Sequence, residues 1–184
     1  MENRGLVLAN DPDRERLRAL SGNLDRMGCL NVAVAGMDGA RLARLFPESF
    51  DKVLLDAPCT GVGTLHKNPE VERWWAWDKV GRMARLQRQL ILAAYDALKP
   101  GGRLLYSTCT LTPQENEGVV SWLLLQRPEA QVVPFEVPGV QLAEGLGNWL
   151  GREFNPQVKN SRRVYPWLNP DMEGFYLALV EKPL

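Results

Sequence analysis

The chain has 184 residues, 22 Lys+Arg against 22 Asp+Glu, and 45% apolar residues, a balance that fits one globular domain and excludes a disordered tail. No apolar run approaches the roughly 18 residues of a membrane span, and the polar residues 1–5 are no signal peptide, so the expected location is cytoplasmic. Zero formal charge excludes a strongly basic chain that coats nucleic acid indiscriminately.

Leu6-Val7-Leu8-Ala9-Asn10 reads as a strand ending at Asp11. Residues 12–27 then place Leu17, Leu20 and Leu24 on one helical face, with Gly28 as the C-cap. Val32-Ala33-Val34-Ala35 reads as a second strand, Asp38-Gly39 as a turn, and residues 40–46 as a helix-like stretch. Residues 50–55 are an apolar run of the kind buried in parallel sheets, followed by Asp56-Ala57-Pro58-Cys59. Residues 60–77, rich in Gly, Asn, Pro and Trp, read as a long functional loop.

A long helix is expected over residues 80–98, terminated by Lys99-Pro100-Gly101-Gly102. A strand over 103–107 leads into Ser107-Thr108-Cys109-Thr110. The next helix is expected over 114–126, with Thr112 as N-cap and Glu115 as its capping-box partner. Residues 132–166 hold two or three short strands, and 174–180 the final one. Alternating strands and helices predict an α/β fold: a parallel or mostly parallel sheet with helices on both faces and ligands at the carboxyl ends of the strands. That fold gathers Asp11, Asp38, Asp56 and Cys109 along one edge, although Asp38 also suits a helix cap.

Three cysteines, Cys29, Cys59 and Cys109, are too few and too odd a set for a disulfide framework. With one histidine, His66, and no Cys-x-x-Cys pair, no metal is expected. Arg outnumbers Lys sixteen to six; guanidinium groups suit phosphates and bases, but a GC-rich genome gives the same count. Cys29 reads as a core residue.

Asp56-Ala57-Pro58-Cys59-Thr60-Gly61 and Tyr106-Ser107-Thr108-Cys109-Thr110, fifty residues apart at two strand ends, resemble the Sun/Nop family of RNA cytosine-5 methyltransferases. The likeness extends through His66-Lys67-Asn68-Pro69, Leu98-Lys99-Pro100-Gly101-Gly102, Pro113-Gln114-Glu115-Asn116-Glu117 and Glu173-Gly174-Phe175. It implies a Rossmann-like class I methyltransferase sheet, S-adenosylmethionine as cofactor and rRNA or tRNA as substrate.

Cytosine C5 is too poor a nucleophile to take a methyl group directly, so a thiolate adding to C6 makes it enamine-like. A base or second helper must then assist elimination. By resemblance Cys109 is the nucleophile and Cys59 assists release. Related DNA methyltransferases, however, place the attacking thiol in a Pro-Cys motif like that of Cys59. The Sun/Nop resemblance also implies that Asp56 contacts the cytosine edge or the methionine part of the cofactor. It assigns Asp11 to the cofactor ribose, where nucleotide-binding folds put an acid, and Asp38 to its adenine side, and more loosely Arg16 in the helix after Asp11. Lys67 and His66 are expected near RNA phosphate. The Trp74-Trp75-Ala76-Trp77 group suits either stacked bases or the core. Trp167 stands where relatives carry histidine.

The family's glycine-rich cofactor loop and central first strand have no counterpart in this sequence. The resemblance therefore implies a chain truncated at its amino terminus, with exposed sheet edges prone to self-association and little or no activity in isolation. The alternatives are a noncatalytic RNA-binding or assembly module that kept the fold, or methylation of DNA or protein.

Overall fold

Where the first apolar run meets an acidic turn, the chain changes from strand to helix. β1 spans Val7–Asn10 and α1 spans Arg14–Arg26, with Asp13 accepting the N–H groups of Glu15 and Arg16 at 2.8 and 3.1 Å. The computed structural model describes residues 1–184, which divide into two compact units, Met1–Leu45 and Phe46–Leu184.

In the first unit, β2 (Val32–Ala35) pairs in parallel with β1, Val7 opposite Val32 and Asn10 opposite Ala35. Helix α2 (Gly39–Leu45) follows. The Asn10 side chain fixes the next turn by bonding both the O and the N–H of Met37, each at 3.0 Å. Leu17, Leu20 and Leu24 are half-buried, on the α1 face their spacing predicts. Cys29 is exposed, which corrects its expected place in a core. Gly28, at φ +65°, caps α1 in the left-handed region and carries the next residue out of the helix into the turn.

The second unit holds β3 (Phe50–Asp56), a 3-10 turn (Val62–Thr64), α3 (Glu70–Trp74), α4 (Trp77–Asp96), β4 (Leu98–Thr108) and α5 (Glu117–Gln126). Then come β5 (Gln131–Val133), β6 (Leu142–Glu144), β7 (Asn148–Trp149), β8 (Arg152–Glu153), a 3-10 turn (Pro156–Asn160), β9 (Arg162–Val164) and β10 (Phe175–Glu181). Six strands form one sheet in the order β3-β4-β10-β9-β6, with β5 also pairing β10.

Only β3 and β4 are parallel in this sheet; β10 runs antiparallel to β4, β5 and β9, and β9 to β6. The sheet is therefore mixed rather than mostly parallel. The strands after α5 are joined without crossover helices, and short connections return a chain antiparallel. Five short strands, not two or three, occupy residues 131–164.

Helix α4 buries the stripe Val80, Ala84, Gln87, Ile91 and Ala94, and α5 buries Val119, Val120 and Leu123. Both pack on one sheet face against Leu104, Tyr106, Tyr176 and Ala178. Ile91, Leu104 and Leu123 are fully buried, each contributing about 1.5–3 kcal/mol of transfer free energy. The opposite face carries a register row of Leu54, Leu105, Leu179 and Val133, with Leu54 67% exposed.

Three boundaries differ from expectation. Helix α4 begins at Trp77, its first turn joined to its second by the Asp78–Arg82 ion pair. The Lys99-Pro100-Gly101-Gly102 segment belongs to β4 and is tied to the chain end by Gly101 N–H to Lys182 O at 2.8 Å and Lys182 N–H to Gly102 O at 2.9 Å. Helix α5 begins at Glu117, not after Thr112, and Asn116 before it makes no side-chain cap. The Asn116 side chain instead accepts the Thr108 hydroxyl at 2.6 Å and donates to Thr110 O at 3.0 Å, bonds that compete with a helical turn.

Arg163 and Glu117 form a bidentate ion pair at 2.6 and 2.7 Å, 1% and 0% exposed. Arg163 also donates to Leu111 O at 3.1 Å, and Leu146 N–H to Glu117 at 2.9 Å, so the pair ties β9 to the segment after Cys109 and to the strap after β6. Replacing Arg163 with Met leaves a buried carboxylate without its cation. The expected loss is about 3–5 kcal/mol in urea unfolding.

Candidate active site

Strands β3 and β4 end side by side, with Asp56 opposite Ser107 and Ala57 N–H bonded to Ser107 O at 2.9 Å. Whatever follows each strand must therefore meet. Cys59 and Cys109, both half-buried, approach with their sulfur atoms 3.3 Å apart. The Ser107 hydroxyl donates to Asp56 Oδ1 at 3.0 Å, orienting that exposed carboxylate beside them.

The two thiols have opposite proton affinities. The hydrogen bond to Cys109, then burial, push the Cys59 thiol far above its ordinary value. The same bond pulls Cys109 below its ordinary value, outweighing burial and the negative charges of Asp56 and Glu173. Either sulfur can donate in this contact, and the two directions favour the proton on Cys59. A thiolate is the nucleophilic form of cysteine, so the arrangement prepares one nucleophile with one proton donor in contact.

Two glycines close the site from the side of β10. Gly63 N–H bonds Cys109 O at 2.9 Å, and Gly174 N–H bonds Gly63 O at 2.8 Å. A Cβ on Gly63 would stand 2.1 Å from Gly174 O and 2.8 Å from Cys109 O. These are backbone atoms, which no side-chain rotation can move aside.

The expected RNA-facing residues lie on the segment between β3 and α4. Lys67 and His66 are exposed, and Lys67 Nζ donates to Asp171 O at 2.8 Å. Residues 60–77 are not an open loop, since the first 3-10 turn and α3 lie within them. Trp75 meets Trp77 edge-on at 5.0 Å, Lys79 sits 4.9 Å over Trp74, and Trp77 is 61% exposed. Trp167, 69% exposed, stacks on Tyr165 with ring centres 4.4 Å apart.

Asp11, Arg16 and Asp38 belong to the first unit. Asp11 is half-buried at the end of β1, accepts the Asp13 N–H at 2.8 Å and faces Arg16 at 3.5 Å. Asp38 accepts the Arg41 N–H at 2.8 Å in the first turn of α2, the capping position its sequence also allowed.

Local patterning gives little sign of the polar groups beneath the thiols: Thr60, Gln87 and the full part played by Glu115. Gln87 carried a signal, being a polar residue on the apolar stripe of α4. Its Nε2 donates to Pro58 O at 2.8 Å and to Glu115 at 2.9 Å.

Residues 1–181 match the model of the 16S rRNA methyltransferase RsmB/F family. The chain belongs to that family. Among its relatives, the tRNA (cytosine(49)-C(5))-methyltransferase of Pyrococcus abyssi is 46% identical over 183 residues, 100% of this chain and 58% of the relative. Ribosomal RNA small subunit methyltransferase F of Enterobacter sp. is 46% identical over 183 residues, 99% of this chain and 36% of the relative. The solved structure of NSun6 from Pyrococcus horikoshii with SFG superposes at a TM-score of 0.81 and 33% identity, covering 98% of this chain and 42% of that one. This RsmB/F chain therefore spans just over half the length of the first of these relatives and less of the others. No helix is long and apolar enough to cross a membrane.

The opposed thiols give a direct expectation. Alkylation of Cys109, followed by peptide mapping to separate it from exposed Cys29, should show a pH midpoint below the ordinary thiol value of about 8.5. Changing Cys59 to Ala removes the hydrogen bond that lowers it, so the midpoint should rise. Independently, Gly63→Ala should cost about 1–3 kcal/mol in denaturant unfolding, as overpacking against fixed backbone does.

Proposed function

We propose that residues 1–184 form the catalytic domain of an S-adenosylmethionine-dependent RNA cytosine-C5 methyltransferase. The observation that carries this reading is the pair of sulfur atoms 3.3 Å apart at the ends of two adjacent parallel strands. The names of the relatives, one a tRNA and one an rRNA methyltransferase, support RNA as the substrate class.

Cys109 is the nucleophile in this reading. Its sulfur adds to C6 of cytosine, forming the S–C6 bond and giving C5 the electron density it lacks in the aromatic ring. S-adenosylmethionine, when bound, supplies a methyl group on a sulfonium sulfur. Once C5 carries that methyl, its proton leaves to a base, the S–C6 bond breaks, and the electron pair returns to Cys109. Cys59 assists this release: its sulfur lies 3.3 Å from that of Cys109, so its S–H hydrogen-bonds the departing thiolate and stabilises it. Asp56, oriented by Ser107, faces the cytosine edge or the methionine part of the cofactor.

The donor set suits the cofactor. A carboxylate at the carboxyl end of a strand, as Asp11 is, matches a ribose diol, and the solved structure with SFG, an analogue of S-adenosylmethionine, supports the same cofactor class. Asp11, beside Arg16, takes the ribose and Asp38 the adenine side. Lys67 and His66 lie exposed where phosphate can reach them. Neither thiol can approach C6 within a stacked duplex, so the target is a single-stranded or flipped-out cytosine.

Two variants, made in the full-length protein and incubated with RNA and S-adenosylmethionine, test the division of labour. Cys109→Ala should abolish methyl transfer and any covalent product. Cys59→Ala should leave protein joined to RNA, read as a shifted band on a denaturing gel. Absence of that band with Cys59→Ala, or its presence with Cys109→Ala, reverses or removes the assignment.

A further inference from the structure

Glu115 is fully buried, and its carboxylate is held by four neutral donors. Oε2 accepts the Thr60 N–H at 3.0 Å and Gln87 Nε2 at 2.9 Å; Oε1 accepts the hydroxyls of Thr60 at 2.5 Å and Thr112 at 2.6 Å. Thr60 follows Cys59 directly, Thr112 lies three residues after Cys109, and Gln87 also holds Pro58 O. The Glu115 carbonyl accepts the Tyr106 hydroxyl at 2.6 Å, which fixes the residue to β4 itself. The turn carrying one thiol and the strand end carrying the other are thus joined on one side chain.

Burying a carboxylate is costly unless its hydrogen bonds are made. A helix cap does not require this one, because α5 begins at Glu117 under Asn116. We propose that Glu115 is a positioning residue whose carboxylate sets the separation and alignment of the Cys59 and Cys109 sulfur atoms. The role rests on the reading of those thiols as the reacting pair, but the geometry it asserts is measurable without methyl transfer.

The donors also define a conservative variant. Thr60 N–H and the Gln87 amide can only donate to Oε2, whereas the two hydroxyls on Oε1 can also accept. A glutamine at position 115, with its oxygen in the Oε2 place and its amide nitrogen in the Oε1 place, retains all four contacts. Alanine leaves a buried backbone N–H and a buried amide without their shared acceptor.

The test uses the chain carrying Cys29→Ser, so that only the two site thiols react. Oxidised glutathione is the probe: the Cys109 thiolate displaces one glutathione to form a mixed disulfide, then Cys59 gives up its proton and displaces the second, closing the Cys59–Cys109 bond. Glu115→Ala should slow this closing step about tenfold and, in the full-length protein, lower kcat for methyl transfer about a hundredfold, with KM for RNA little changed, as small misplacements of reacting groups do. Glu115→Gln should restore both to within about threefold of the parent. Closure at the parental rate in Glu115→Ala overturns the proposal, and so does Glu115→Gln as slow as Ala. Should Glu115→Ala not fold, Thr60→Val, which removes one hydroxyl arm, is read in the same way: slowed closure supports the role and parental closure overturns it. If the full-length parent transfers no methyl group while closure in this chain follows the expected order, the functional reading fails and the geometry stands. If methyl transfer is present and closure is insensitive, the reverse holds.

Discussion

The parallel ladder between β3 and β4 is the constraint from which the rest of the site descends. Its register sets Asp56 opposite Ser107, so both strands end at the same height, and Ala57 adds one more bond to Ser107 before the chains diverge. Parallel strands exhaust their hydrogen bonding together at the carboxyl end, and the segments leaving them share one small volume. Two cysteines fifty residues apart become neighbours for that reason. The 3-10 turn after Cys59 then uses its own backbone, through Gly63, to pair with Cys109 and with Gly174 before β10.

Beneath the thiols lie two buried carboxylates only two residues apart, satisfied in unlike ways. Glu115 is surrounded by hydroxyl and amide donors, and Glu117 by one guanidinium and one backbone N–H. A buried ion pair is weak evidence for net stability, because desolvation offsets its attraction. Its geometric demand is stringent, however, since a guanidinium and a carboxylate meet in one plane. Both acids sit where β4 hands over to α5, and they fix that junction against β3, α4 and β9.

The strands of the first unit, the β3 and β4 strands and the cysteine motifs were legible in the sequence, because short apolar runs with Asp, Gly or Pro at their ends carry their own punctuation. What escaped was set by partners distant in the chain. Glu115 resembles a capping-box acid when only Thr112 is considered; its other ligands come from residues 60 and 87, which local patterning cannot bring near. The start of α5 slipped for the same cause, since Asn116 is drawn to Thr108 and Thr110. The mixed sheet depended on which way β10 enters, and a run such as Phe175-Tyr176-Leu177-Ala178-Leu179 contains no direction. Cys29 is exposed because an apolar residue beside a glycine cap follows the turn rather than the core.

The Arg163–Glu117 pair also bears on how the molecule responds to heat. The hydration that charged groups surrender on burial becomes less favourable as temperature rises, so the penalty for keeping this pair dry shrinks on warming. Apolar packing gains no comparable advantage per unit area. The junction below the two thiols is therefore relatively best held at the upper end of the working range, and its charged pins grow in weight as the remaining margin of the fold declines.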